Sequence, residues 1–271
     1  PHAQNEGPTT MVSRQVYEAL VTRGLDMKIG PQLATDWTAT SPTTWTFNLR
    51  KDVKFSDGTK MTSEDVVFSI LRAKLPTSDF KEYISSVSSV QALGDYSIEI
   101  ATTEPNPILL NQLSNIFVIS KAWATENFSI APQNWNASQE TYASVNAMGT
   151  GPFKITLREP NTKTVFKKNK KWWGKVEHNL TSIELLPIAN AATRVAALLS
   201  GEIDIVTDAP VQDLGRIGSS AGHKVVSTPQ MRTIFLGMDQ GADELRSGNT
   251  GDNPFKKKEV RQALYQAIDI N

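Results

Sequence analysis

Three carboxylates that follow a predicted helix are the residues best suited to acid–base chemistry. Glu202, Asp204 and Asp208 stand just after Gly201. Paired carboxylates hydrolyse glycosides when their separation in space suits the reaction, so a hydrolase is one reading of this cluster. We favour another interpretation, in which the carboxylates lie on a short strand edge that begins where Gly201 ends the helix.

The other patterns that could bind a metal or activate a nucleophile are incomplete. His2, His178 and His223 lie far apart and lack the spacing of metal ligands. The chain contains no cysteine, which excludes disulfides, thiolate metal sites and a cysteine nucleophile. We therefore expect no metal, no cofactor and no catalysis, and we interpret the histidines as structural or surface residues.

The glycine-rich segment at residues 149–153, GTGPF, invites comparison with a phosphate-binding loop. A dinucleotide site needs a third glycine and a helix after the loop, so that backbone amides and the helix dipole meet the phosphates. Here Pro152 removes one amide and a strand pattern follows. The segment therefore favours a hinge-like crossover between two parts of the fold.

Residues 167–175, KKNKKWWGK, combine lysines with Trp172 and Trp173, as in a platform that stacks single-stranded nucleic acid. Lys and Arg together number 28 and so do Asp and Glu, so the chain lacks the excess positive charge of a nucleic-acid-binding protein. We interpret the stretch as a solvated strand end with a tryptophan folded back onto the core, and we expect no nucleic-acid partner.

The bulk composition is that of a globular protein of one large or two smaller domains, with 39% hydrophobic and 21% charged residues among 271. No run approaches the roughly 18 apolar residues of a transmembrane helix. The chain begins at Pro1 rather than at a methionine. We expect an exported protein whose signal peptide is not in this chain.

The N-terminal region predicts a helix from residue 11 to a stop at Gly24, because Val12, Val16, Ala19 and Leu20 recur at helical spacing. Alternating apolar residues at 44–49 predict a half-buried strand. A turn at 56–59 then leads to a helix that begins with Thr62 and Asp65 in a capping-box arrangement. The apolar face predicted for that helix is Val66, Val67, Ile70 and Leu71.

The rest of the chain alternates irregularly between strand and helix signals and shows no internal repeat, which indicates a mixed α/β (α+β) fold. Residues 120–148 read as loop-rich. The remaining predictions are a hairpin around Gly94-Asp95, helices at about 106–113, 190–200, 210–217 and 253–271, and strands at 149–159, 162–174, 202–206, 224–227 and 232–239.

Several motifs occur in the order typical of one protein family. They include QVYEALV at 15–21, PQLATDW at 31–37, TWTFNLRKDVKFSDGTKMTSEDVVFS at 44–69, NKKWWG at 169–174, and ALLSGEIDIV at 197–206. In this order they resemble the family-5 extracellular solute-binding proteins, the peptide- and nickel-binding components of bacterial ABC importers. The resemblance covers essentially the whole chain.

The resemblance implies a periplasmic-binding-protein-like type II lobe with an additional subdomain, and without the second lobe of the family. Residues 1–30 would form the first segment of lobe I, 31–148 the additional subdomain, and 149–271 the continuation of lobe I. The chain would end where lobe II begins, as a truncated fragment of a longer protein. We expect the fragment not to bind ligand tightly by itself, because half of the cleft wall would be missing.

The resemblance also implies a ligand site at the inner edge of this lobe. Its expected members lie before or in the first helix, near the subdomain edge, and at the start of a later strand: Thr10, Met11, Phe80, Phe117, Met231 and Arg232. Arg232 would hold a carboxylate through two parallel hydrogen bonds.

The implied function is the capture of di- or oligopeptides by a monomeric periplasmic protein that delivers them to an ABC permease in the inner membrane. Three alternatives stay open. The same fold binds opines, sugar derivatives or nickel chelates in other family members; a sensor would present the ligand to a receptor; and a hydrolase would use Glu202, Asp204 or Asp208.

Overall fold

The computed structural model describes residues 1–137, 140–228, 233–245 and 252–269 of the chain. Contacts divide the chain into two compact units, Pro1–Ala189 and Asn190–Asn271. Among the described helices, none has the length and apolar character that crossing a bilayer demands.

The first unit contains five helices and nine strands within the described ranges. In chain order they are α1 (Gly7–Val16), β1 (Val21–Arg23), β2 (Ile29–Pro31), β3 (Ala34–Ser41), β4 (Thr44–Leu49), α2 (Ser63–Ala73), β5 (Val87–Gly94), β6 (Ser97–Thr102), α3 (Leu109–Leu113), α4 (Lys121–Glu126), α5 (Tyr142–Val145), β7 (Phe153–Glu159), β8 (Lys163–Lys168) and β9 (Ser182–Leu185). Short 3₁₀ turns lie at Lys81–Ile84 and Trp135–Ala137.

The strands form three antiparallel sheets. Strands β1 and β2 pair as a hairpin, the four-stranded sheet has the order β3-β4-β6-β5, and the three-stranded sheet has the order β7-β8-β9. The four-stranded sheet and α2 enclose the larger core, which includes the buried Phe47, Ile98 and Ile100. A second core joins the end of α1 to the three-stranded sheet through Val16, Tyr17, Phe117, Ile119, Ala124, Phe153 and Phe166.

The strand–turn–helix corner at residues 44–73 forms as predicted. Strand β4 buries Phe47 and Leu49, and Gly58 takes a φ of 104° in the turn, a conformation that favours glycine. The Asp65 carboxylate accepts a hydrogen bond from the Thr62 N–H at 2.9 Å, as a capping box requires. Local signals were therefore sufficient to predict the corner.

The buried face of α2 differs from the prediction. Leu71 is half exposed, whereas Ser69 and Arg72 are buried beside Val66 and Ile70. The Ser69 hydroxyl donates to the Asp65 carbonyl at 2.6 Å and accepts from the Ile119 N–H at 2.9 Å. A polar side chain with such partners can occupy a core position, which apolar periodicity alone does not indicate.

The first predicted helix is wrong at its C-terminal end. Helix α1 stops at Val16, Tyr17 is extended, and the following buried residues form a bridge and a strand instead. Ala19 pairs with Phe117, and the Val118 N–H donates to the Glu18 carbonyl at 2.8 Å. A continuous apolar run suits a buried strand as well as a helix, so periodicity could not separate the two.

Two further predictions in the first unit need smaller corrections. The helix expected at about 106–113 is limited to Leu109–Leu113. The stretch at 120–148, read as loop-rich, contains α4 and α5. The hairpin around Gly94-Asp95 is confirmed, and β7 and β8 form as shorter strands within the predicted ranges 149–159 and 162–174.

The second unit contains α6 (Ala191–Ser200), α7 (Leu214–Ser219) and α8 (Lys258–Gln266), with 3₁₀ turns at Val211–Asp213 and Pro254–Lys256. Helix α6 has the predicted ends, because the Asn190 side chain accepts from the Thr193 N–H and Gly201 takes a φ of 79°.

No strand forms at 202–206, at 224–227, or in the described part, 233–239, of the last predicted strand. Val226 and Phe235 are 79% and 77% exposed. Alternation identifies a segment that is able to pair, but a strand also needs a partner. Within the described residues none pairs with these segments.

Candidate ligand-binding cavity

A cavity of about 330 Å³ lies within the first unit, between α1, the three-stranded sheet and the segment that precedes β7. Its wall contains both apolar and polar side chains, as in small-molecule sites. The lining residues used below are Thr9, Val12, Ser13, Val16, Tyr17, Arg72, Gln133, Trp135, Ser144, Ile155, Arg158, Thr164 and Leu185.

One face of α1 forms a wall of the cavity. Thr9, Val12, Ser13 and Val16 follow the spacing of residues that share a helix face, and all four line the space. Val16 belongs to the core shared with the sheet, so its burial seats the helix end against β7 and β8. Core packing therefore holds the inner end of this wall in place.

Arg158 of β7 holds the segment before β7 to the sheet. Its guanidinium donates to the Ser144 carbonyl at 3.0 Å and to the Thr164 hydroxyl of β8 at 3.2 Å. These bonds join α5 to two adjacent strands and so position this side of the cavity wall. Apolar contacts from Ile155 and Leu185 complete the sheet wall.

Arg72 of α2 is a buried cation on the cavity wall, only 3% exposed. It donates to the carbonyls of Ser129, Pro1 and Ala131, at 3.1, 2.6 and 3.2 Å. Its Nη1 also lies 3.3 Å from Nδ1 of His2, which must accept because arginine has no acceptor.

His2 is neutral in this environment, whereas Arg72 stays charged in spite of its burial. Burial, and then the charge of Arg72, lowers the pKa of His2 well below its usual value. Burial also lowers the pKa of Arg72, to about 10, so the guanidinium is protonated at neutral pH. Burial raises the pKa of the Tyr17 hydroxyl, which is therefore uncharged.

A second buried polar cluster, the Glu18 cluster, braces the chain next to the cavity. The Glu18 carboxylate is 3% exposed and accepts from the Thr150 hydroxyl at 2.8 Å and from the indole N–H groups of Trp172 and Trp173 at 3.1 and 2.9 Å. The Arg50 guanidinium stacks on the Trp173 ring, 4.0 Å from its centroid. The interpretation of a tryptophan folded back onto the core is confirmed.

The glycine-rich segment crosses the end of α1 at close range. The Gly151 N–H donates to the Val16 carbonyl at 2.8 Å, and the Gly149 carbonyl accepts from the Ser56 N–H at 3.0 Å. A Cβ atom at Gly149 would lie 2.1 Å from the Val16 oxygen. Close contact between backbone segments thus explains the glycines without a phosphate-binding role. The hinge character of the segment stays a prediction.

The Glu18 cluster gives stability a specific pH dependence. Burial raises the pKa of Glu18 above 4.5, against the opposing hydrogen bonds from Trp172, Thr150 and Trp173. Between 4.5 and the raised value the folded state binds more protons than the unfolded state, so the contribution of this group to stability falls as pH rises.

We therefore expect the free energy of unfolding of the wild type, minus that of Glu18→Gln, to increase as pH falls through this interval towards 4.5. The subtraction removes the other titrating groups, which both proteins share. Urea unfolding at a series of pH values measures the difference. A difference independent of pH would contradict the raised pKa.

The structure places the residues predicted to bind ligand in separate environments. Thr10 and Met11 lie half-buried on α1, between residues that line the cavity, but they do not line it themselves. Phe80 and Phe117 are buried in the two cores, at 4% and 3% exposure. Their roles in binding stay predictions, as do those of Met231 and Arg232, which lie outside the described residues.

The remaining chemical candidates are not gathered into a site. Glu202, Asp204 and Asp208 are exposed, and the strand edge on which we placed them does not form. His178 stacks on Phe153, and His223 contacts the Leu198 carbonyl. Across the described part of the chain, no three His, Asp or Glu side chains are grouped as metal ligands.

Sequence reasoning missed the polar residues of the cavity, namely Arg72, Ser13, Gln133 and Arg158. One signal was available for Arg72. It lies two positions after Ile70 and three after Ser69, on a helix whose neighbouring residues are apolar. An arginine there has to be buried with partners or turned to solvent, and spacing does not distinguish the two outcomes.

Comparison with known proteins places the chain in a family. Residues 28–271 match the family described as bacterial extracellular solute-binding proteins, family 5 Middle. The chain belongs to the family-5 solute-binding proteins. This membership confirms the family suggested by the ordered motifs.

Two relatives of this family-5 chain come from Escherichia coli (strain K12). Its periplasmic murein peptide-binding protein is 25% identical, over 97% of this chain and 49% of its own length. Its periplasmic oligopeptide-binding protein is 25% identical, over 99% of this chain and 50% of its own length. Both are named as binding proteins, and the chain spans about half the length of each.

A solved structure confirms the predicted fold class. The periplasmic binding protein AgaA of A. tumefaciens R10, in complex with agropinic acid, superimposes with a TM-score of 0.69 at 26% identity. The match covers 78% of this chain and 42% of AgaA. The mixed α/β lobe of a type II periplasmic binding protein is therefore the fold of the family-5 chain.

Proposed function

We propose that this chain is part of the substrate-binding component of an ABC importer, which captures di- or oligopeptides in the periplasm and delivers them to a membrane permease. The observation that carries the proposal is the match of nearly the whole chain to two peptide-binding relatives. The protein acts by binding and release, without catalysis, and works as a monomer.

The cavity supports this proposal through its size and chemistry. A space of about 330 Å³ holds a small part of a peptide, such as one or two side chains with their backbone. Val12, Ile155 and Leu185 provide apolar contact, while Ser13 and Gln133 provide hydrogen-bonding groups. Such a mixed wall suits a ligand with both amide and apolar groups.

A second candidate function is the binding of an opine. It is favoured by the likeness to AgaA, whose structure holds agropinic acid. The mixed polar and apolar wall suits either ligand class, so identification of the bound molecule distinguishes the two functions.

The test is native mass spectrometry of the full-length mature protein purified gently from its own compartment, with the 271-residue chain as a control. We expect a ladder of peptide masses on the full-length protein and none on the control. A single non-peptide mass would replace the peptide by another solute and overturn peptide import. A peptide ladder on the control would show that this half of the cleft is sufficient for binding.

A further inference from the structure

Arg72 carries a buried charge with no carboxylate in contact among the described residues. Within the described residues, no carboxylate oxygen comes within 4.0 Å of its guanidinium. Its partners are three carbonyls and a neutral histidine ring, which satisfy N–H groups but bring no negative charge. Buried charges in proteins are normally paired, because an isolated one is costly.

The guanidinium retains the means to bind an anion. Arginine has five N–H donors, and four of them are used in the bonds to Ser129, Pro1, His2 and Ala131. Arg72 lines the cavity, and its fifth donor has no partner among the described residues. Tyr17, which lines the same cavity, is uncharged and cannot act as the counter-ion.

Two neutral polar side chains share the wall with Arg72. Ser13 and Gln133 are buried, at 7% and 5% exposure. In the described structure neither side chain makes a hydrogen bond within the protein. Gln133 lies two residues after Ala131, a carbonyl partner of Arg72, and Ser13 lies one helical turn before Tyr17. The cavity therefore combines one buried cation with two uncommitted hydrogen-bonding groups, while the carboxylate residues on its wall, Glu6 and Glu159, are exposed.

We propose that this cavity binds the carboxylate of an anionic ligand, with Arg72 supplying the charge and Ser13 and Gln133 supplying neutral hydrogen bonds. Charge-assisted bonds to a carboxylate are about twice as strong as neutral ones and would balance the guanidinium. The apolar side chains of Val12, Ile155 and Leu185 would contact the rest of the ligand. That the carboxylate belongs to a peptide rests on the proposed function. An opine also carries a carboxylate and would bind in the same way.

The experiment measures binding to the full-length protein by calorimetry with three probes: trialanine, its C-terminal amide, and succinate. We expect the free acid to bind at least ten-fold more tightly than the amide in the wild type. Arg72→Gln should remove this preference, whereas Arg216→Gln, a change of the same type at an exposed position, should preserve it. Thermal unfolding shows whether each variant is folded.

Ser13→Ala serves as a second variant, because Arg72→Gln also removes bonds to three carbonyls and could disturb folding. Ser13→Ala should weaken the free acid about three- to ten-fold and leave the amide unchanged. Equal binding of acid and amide to the wild type would overturn the anion site and leave peptide import standing. Binding of succinate alone, lost in both variants, would support the anion site and overturn the peptide. No binding of any probe would overturn both.

Discussion

Glu18→Ala is expected to lower the free energy of unfolding by about 2–4 kcal/mol. The change leaves the hydroxyl of Thr150 and the indole N–H groups of Trp172 and Trp173 without their acceptor. Each unpaired buried donor costs about 1–3 kcal/mol. Part of this loss is offset, because the variant no longer has to bury a carboxylate. Urea unfolding followed by tryptophan fluorescence measures the loss.

Glu64→Ala is the matched control for this prediction. Glu64 pairs with Lys121 at 2.9 Å, but both side chains are more than half exposed. An exposed ion pair contributes about 0–1 kcal/mol, so the control should lose less than about 1 kcal/mol. If the two alanine variants were equally stable, the Glu18 cluster would contribute no more to stability than an exposed ion pair.

Gly149→Ala is expected to lower the free energy of unfolding by about 3 kcal/mol or more, because the new methyl group cannot be accommodated without moving backbone. Its Cβ would lie 2.1 Å from the Val16 carbonyl oxygen and 2.7 Å from the Tyr17 ring. The chain would have to separate from the end of α1, which breaks the hydrogen bond from the Gly151 N–H to Val16. Chemical unfolding measures the change.

Gly30→Ala makes the same substitution where there is space. Gly30 lies in β2, and a Cβ there meets no atom within 4 Å. We expect a change of less than about 1 kcal/mol, of either sign, since alanine also restricts the unfolded chain. A loss at Gly149 no larger than at Gly30 would contradict the tight crossing.

Local signals in the sequence determined the elements that depend on neighbouring residues. The turn at Gly58, the Asp65 cap, the hairpin around Gly94-Asp95 and the ends of α6 form as predicted. Each depends on the conformational preference of one residue or on a hydrogen bond a few residues away. The ordered motifs also determined the family, which the match over residues 28–271 confirms.

Predictions failed where the outcome depended on a distant partner. Residues 18–21 read as helix because their apolar spacing allowed it, yet Ala19 pairs with Phe117. The segment at 233–239 has a strand pattern and forms no strand among the described residues. Periodicity reports which face of an element is apolar, but it does not report whether a pairing edge is available.

Only the tertiary structure brings together the polar clusters around Glu18 and Arg72. The acceptor Glu18 and its donors Trp172 and Trp173 are 154 and 155 residues apart. Arg72 meets the carbonyls of Pro1 and Ala131 across 71 and 59 residues. The sequence by itself determined the family, the local elements and the residue types at hand. The tertiary structure decided which of these residues share a buried space. Residues that are distant in the chain and meet only after folding produce no regular spacing in the sequence.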